Sequence, residues 1–193
     1  MYKYLIGVSI VLCGAGVALA APLGISWFEQ QSAVKTSTIA TVASSPPLIE
    51  GPAIIQGTPR HVTVPSVGID VAVADGTYDS STGAWTLSEE SAFFATPTNP
   101  VNSGSGNTLL YGHDSQKIFG KLPRMQAGAE VTVTTANGYA FTYVYITSEV
   151  VSPTDVGLFA YSGKPRLTLQ TCTGTWSQSR QLFYFDLKEY RKL

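Results

Sequence analysis

Cys172 lies in the run Leu167-Thr168-Leu169-Gln170-Thr171-Cys172-Thr173-Gly174, and a second run, Ser179-Arg180-Gln181-Leu182-Phe183, follows a short loop. A cysteine attacks acyl groups as its thiolate, and positive charge beside a thiol favours that form. If the two runs pair as an antiparallel hairpin centred on Trp176, Cys172 stands directly opposite Arg180. Directly opposed side chains share a face of the sheet, with Cβ atoms about 5 Å apart. Strand alternation then sets Leu167, Leu169 and Thr171 on one face and Thr168, Gln170 and Cys172 on the other. The leucines mark the core face, so the thiol points elsewhere. A slip of one residue in register would destroy this pairing.

Acyl transfer from an amide also needs a proton donor for the leaving amine, and histidine is the usual side chain for that near neutral pH. The chain has two histidines. His61 stands among valines and threonines and reads as a structural or surface residue. His113 follows Thr108-Leu109-Leu110-Tyr111-Gly112, at the C-terminal end of an expected strand. Glycine there allows an unusual backbone path, and strand ends and the loops after them often carry catalytic groups. On the residues alone, an ordinary loop histidine is still the commoner reading of such a position.

The elements that must hold these groups are short β-rich runs broken by Gly, Pro, Asn and Ser from Arg60 onward, the spacing of an all-β barrel or sandwich. Strands are expected over 61–64, 69–73, 108–111, 130–135, 139–147, 166–171 and 181–187. The clearest hairpin is 131–146, because Asn137-Gly138 supplies the positive φ angles of a tight turn. The aromatic residues in these runs read as core and sheet face. A composition of 44% hydrophobic and 13% charged residues is that of a globular chain, and a net charge of -1 offers no basic stripe for nucleic acid. No nucleic-acid partner is expected.

Between Lys3 and Glu29 there are 25 residues without a charge. As a helix rising ~1.5 Å per residue, that run exceeds a hydrocarbon core of roughly 30 Å. Residues 1–28 are therefore expected to form one N-terminal transmembrane helix, with the N-terminus cytoplasmic and the remainder extracytoplasmic. A cleaved signal peptide is the competing reading, through Ala18-Leu19-Ala20, but the apolar run continues past it to Phe28. Cys13 reads as an inert helix residue, since Leu12 is too large for a lipid-attachment site. The two cysteines lie in segments of different character and read as free thiols. Residues 29–59, rich in Ser, Thr and Pro, read as a linker, although Ile49, Ile54 and Ile55 leave an edge strand open near its end; residues 60–193 are the expected domain.

Taken together, Thr168-Leu169-Gln170-Thr171-Cys172 with Arg180 beyond it, Gly106-Asn107-Thr108 leading to Tyr111-Gly112-His113, and Val151-Ser152-Pro153-Thr154-Asp155-Val156 give a chain that resembles the sortases over 60–187. These are membrane-anchored cysteine transpeptidases that attach proteins to bacterial cell walls or assemble pili. The first run matches the family's TLxTC signature. The resemblance implies a closed eight-stranded β-barrel with short helical turns. It implies that Cys172 attacks the Thr-Gly bond of an LPxTG-like sorting signal, that His113 protonates the leaving amine, and that Arg180 orients substrate and stabilises the oxyanion. It further implies a substrate contact at Thr171 and a pocket lined by Val151, Pro153, Val156 and Leu158, positions where barrel packing is an equally good reading. The partners implied are sorting signals of secreted proteins, an amine acceptor on a wall precursor or a pilin lysine, and the membrane.

Asp114 and Thr173-Gly174 depart from the commoner family pattern and leave the subclass open. No cofactor and no metal are expected, because Glu89-Glu90, Glu149 and Asp155 are dispersed and the His and Cys residues lack zinc-ligand spacing. An L,D-transpeptidase is disfavoured by the absence of an SxGCxR pattern, and a papain-like protease by a cysteine that ends a strand. A tethered barrel that only binds peptide or glycan is disfavoured by the intact Cys172, His113 and Arg180.

Overall fold

The computed structural model describes residues 53–79, 81 and 84–193. The anchor expected over 1–28, Cys13 and the linker as far as residue 52 lie outside the described residues. Among the described residues no helix is long and apolar enough to cross a membrane.

Eight strands close a barrel: β1 (Pro59–Val64), β2 (Ile69–Gly76), β3 (Ala92–Ala95), β4 (Asn107–Tyr111), β5 (Glu130–Thr135), β6 (Tyr139–Val151), β7 (Arg166–Thr173) and β8 (Ser179–Lys192). Around the barrel they run β6-β8-β7-β4-β3-β2-β1-β5, and β5 pairs back to β6. Period-two alternation builds most of them. In β2, Ile69, Val71 and Val73 are buried while Asp70, Ala72 and Ala74 face out. Gly138 takes φ 79 in the Asn137-Gly138 turn between β5 and β6, where an L-residue would be strained. Short 3-10 turns at Pro65–Val67, Leu122–Arg124, Gly157–Ala160 and Thr175–Ser177 link the strands, so the all-β barrel with helical turns is present.

β6 and β8 run further than the expected 139–147 and 181–187, as strands of 13 and 14 residues. Two register shifts, at Thr142/Tyr143 and Tyr145/Thr147, let this long ribbon bend around the barrel. β3 was not among the expected strands. Its sequence, Ala-Phe-Phe-Ala, is buried at all four positions and so has no alternation to detect. A pair of two-residue strands, Gln56–Gly57 with Val101–Asn102, places folded structure upstream of the expected Arg60 boundary. Ile55 packs on the core just before it, and the short strand lies just past the isoleucines that left an edge strand open.

Two apolar clusters explain where a site can form. The barrel interior holds Phe141, Tyr143, Leu167, Leu169, Phe183 and Phe185, each at most 1% exposed. Burying each leucine there stabilises the fold by roughly 1.5–3 kcal/mol. A second cluster, Phe93, Ala95, Leu109, Tyr111, Leu158 and Leu182, lies on the outer face of β3, β4, β7 and β8. The β6–β7 connection contributes Leu158 to it, and Trp85 packs there from a second small strand pair, Tyr78–Asp79 with Ala84–Trp85. This part of the sheet is thus buried on both faces, and a cleft opens where the outer cover stops.

Candidate active site

β7 carries Leu167, Leu169 and Thr171 inward and Thr168, Gln170 and Cys172 outward, as alternation requires. Its register with β8 sets Cys172 opposite Arg180, the pairing that the hairpin arithmetic gives. Neither β7 nor β8 slips, because Leu167 and Leu169 face Phe185 and Phe183 across the ladder and all four fill the interior. Beyond Cys172 the chain turns through Gly174 at φ 82 and Trp176 at φ 62 before β8 begins. Cys172 is half-buried and is a free cysteine. Arg180 is half-buried too, and its Nη1 donates to the Ser179 carbonyl at 3.2 Å.

His113 arrives from β4, which pairs in parallel with β7. Leu110 stands by Leu169 and Tyr111 by Gln170, and there the parallel pairing stops. His113 is two residues past Tyr111 just as Cys172 is two residues past Gln170, so both emerge at the same end of adjacent strands. The bond from Gly112 N–H to Gln170 O at 3.1 Å carries the contact one step beyond the ladder. Thr171 then donates its hydroxyl to Gly112 O at 3.1 Å. Gly112 has no room for a side chain, since a Cβ would meet Ile118 Cγ2 at 2.6 Å and Phe119 Cδ2 at 3.3 Å. The His113 ring is 33% exposed, and its Nε2 lies 3.6 Å from Glu89 Oε1.

The cleft beside Cys172 and Arg180 has a volume of about 750 Å³. Pro153, Val156 and Leu158 line one wall, and Tyr78, Trp85 and Leu87 line another. The first wall is fixed from below: buried Thr168 donates to Asn107 Oδ1 at 2.7 Å, and Asn107 Nδ2 donates to Leu158 O at 3.4 Å. Tyr111 fixes the second. Its ring meets Trp85 edge-on at 5.3 Å and stacks on Phe93 at 5.7 Å, and burial pushes its phenol up to about 12.

The residues expected at the site are distributed unevenly. Pro153, Val156, Leu158 and Thr171 line the cleft of Cys172 and Arg180. Val151 instead lines a neighbouring cavity of about 280 Å³ with Arg166, Tyr161 and Tyr184, and the two spaces share Asp155 and Leu158. Thr171 is 2% exposed, and with its hydroxyl given to Gly112 it ties β7 to the segment bearing His113. The Tyr78, Trp85 and Leu87 wall was not anticipated. Its one signal was an aromatic and apolar residue at nearly alternate positions, Trp85 and Leu87, in a stretch otherwise polar. His61 pairs with Asp70 on the outside of the barrel, in keeping with a surface role.

A family model described as the Sortase domain matches residues 62–187. Among solved structures, the chain is similar to sortase A of Listeria monocytogenes, with a TM-score of 0.58 and 22% identity over 71% of this chain and 91% of that one. It is also similar to Group B Streptococcus Pilus Island 1 sortase C2, with a TM-score of 0.57 and 26% identity over 67% of this chain and 73% of that one. Sortase C-1 of Actinomyces oris gives a TM-score of 0.57 and 24% identity, again over 67% and 73%. No match is found among curated proteins. Since the matched residues span the barrel from β1 into β8 and take in most of the sequence, the chain belongs to the sortase family.

Proposed function

We propose that this chain cleaves an LPxTG-like sorting signal between Thr and Gly through a thioacyl intermediate on Cys172 and passes the acyl group to an amine. Family membership supports a sortase-type transpeptidase in general terms. The observation that carries the finer reading is the opposition of Cys172 and Arg180 beside an apolar-walled cleft, with His113 leaving the adjacent parallel strand at the same end.

Cys172 Sγ bonds to the carbonyl carbon of the signal's threonine. The C–N bond to glycine breaks, and His113 gives its proton to the departing amine. Arg180 holds the carbonyl and the oxyanion that forms on it, a role that five donors on a planar cation suit. An incoming amine then bonds to the same carbon, the C–S bond breaks, and the amine's proton passes to His113. Pro153, Val156 and Leu158 face the leucine and proline of the signal, with Val151 supporting that wall from behind. The acceptor is a lipid-linked wall precursor or a pilin lysine. Residues 1–28 anchor the protein with its N-terminus in the cytoplasm, and the Ser-, Thr- and Pro-rich stretch from residue 29 to the folded residues before β1 spaces the catalytic domain from the outer face of the membrane; the uncharged run between Lys3 and Glu29 supports this placement.

The test is a transfer assay with the full chain, an LPxTG peptide and an added amine. The expected product is the peptide cut after threonine and joined to the amine. Hydrolysis or transfer at undiminished rate by Cys172→Ala, or cleavage at another bond, overturns the reading.

A further inference from the structure

Two carboxylates could steer the His113 ring. Asp114 adjoins it in sequence, yet its Oδ1 lies against the turn at Gly120, where an added Cβ would meet it at 3.0 Å. Glu89 is remote in sequence, and its Oε1 is 3.6 Å from His113 Nε2. Strand register explains the approach. β3 and β4 are antiparallel, with Phe93 opposite Tyr111 and Phe94 opposite Leu110. Continued outward past its last pair, the same register would set Ser91 opposite His113, two residues from Glu89, so the chain entering β3 passes near the chain leaving β4. Trp85, four residues before Glu89, is fixed on the Tyr111 ring at 5.3 Å, and Glu90 N–H is capped by Ser88 Oγ at 3.0 Å.

We propose that Glu89 is a positioning residue for His113, holding the ring through Nε2 and leaving Nδ1 to serve the leaving and incoming amines. The inference rests on His113 as the proton donor of the proposed reaction. An acid–base residue oriented in turn by a third group is the general arrangement of activated nucleophiles. The separation exceeds a hydrogen bond. Catalytic contacts of this kind commonly shorten once substrate is bound. The ring is 33% and the carboxylate 77% exposed, so the pair acts through orientation more than through charge, which solvent screens. The proton moves only between His113 and the two amines.

Steady-state transfer kinetics and ring nitrogen NMR of the full chain test this together. Glu89→Gln should lower kcat about fivefold and leave KM unchanged, the scale of one exposed ion pair. Asp114→Asn should change neither. At about pH 8.5, above the ordinary histidine range, the His113 hydrogen should reside on Nε2 in the natural protein and spread over both nitrogens in Glu89→Gln. An unchanged tautomer in Glu89→Gln overturns the proposal whatever the rate, and so does a change confined to KM, which would make Glu89 a substrate contact. If the natural chain transfers no acyl group, the reading of the site fails, while a tautomer shift in the variant would still establish the Glu89 contact.

Discussion

His61 and His113 each sit beside a carboxylate, and they are similarly accessible, with side chains 41% and 33% exposed. The difference lies in the backbone around them. His61 is inside an antiparallel ladder, paired across to Ala72 and bonded to Asp70 on the outer face of β1 and β2. On its other side His61 pairs with Thr134, so the ladder continues past it on both edges. His113 stands just past the end of a parallel ladder, where pairing has stopped; Tyr111 and Gly112 before it line the cavity of about 750 Å³ beside the cysteine strand, and His113 itself does not line it. A histidine–carboxylate contact is therefore no sign of catalysis by itself. What sets His113 apart is its place at a strand end, with Cys172 at the same end of the adjacent strand.

Removing each ring should break the comparison most sharply. His113→Ala is expected to lower the rate of acyl transfer by about 10²- to 10⁴-fold, the usual worth of a general acid–base group, while His61→Ala leaves it within twofold. Equal losses in the two variants, read from initial rates, would erase the distinction. Next comes Arg180→Lys, which keeps the charge and loses the planar fork. A loss of about 10²-fold in kcat is expected there, the scale of one oxyanion donor. Gly112→Ala probes the backbone path itself, because the new methyl group would push on Ile118 and Phe119 and displace the following residue. About tenfold lower kcat is expected, since displacement by about 1 Å costs up to 10²-fold, together with a lower melting temperature.

The smallest effect belongs to the surface pair. Asp70 is held below its ordinary value by its hydrogen bond with His61 and by that residue's charge. A carboxyl lowered in the folded state contributes stability above its unfolded value, and that contribution is lost as pH falls through the folded one. Asp70→Asn should therefore melt slightly below the natural protein at pH ~5, with the gap closing on acidification below the ordinary aspartate value of about 3.9. A gap that widens with acidification would contradict the pairing. Transfer activity should be untouched by this change.

The strands whose one face is wet were legible in the sequence, because Ile69, Val71 and Val73 alternate with exposed residues. The register of Cys172 with Arg180 was legible except for a slip of one residue that the irregular loop left open, and the facing of Leu167 and Leu169 with Phe185 and Phe183 removes that slip. What escaped detection is non-local or doubly buried. β3 is covered on both faces, with Phe94 in the barrel interior and Phe93 in the outer cluster, so it shows no period. His113 could be assigned only through a family likeness, because the parallel pairing of β4 with β7 joins segments far apart and leaves no local trace. Glu89 was noticed only as half of an acidic doublet. Its meeting with His113 follows from the β3–β4 register, which required β3 to be known first.

The proposed reaction depends first on Cys172 as the group that holds the acyl chain. Intact-mass spectrometry of the full chain, quenched in acid after incubation with an LPxTG peptide and no added amine, reads that directly. One added mass is expected, equal to the peptide acid ending at threonine less one water, mapped to the Cys172 fragment, stable in acid and discharged by an amine. Acyl transfer proceeding at full rate in Cys172→Ala, or with the added mass on another residue, would contradict it.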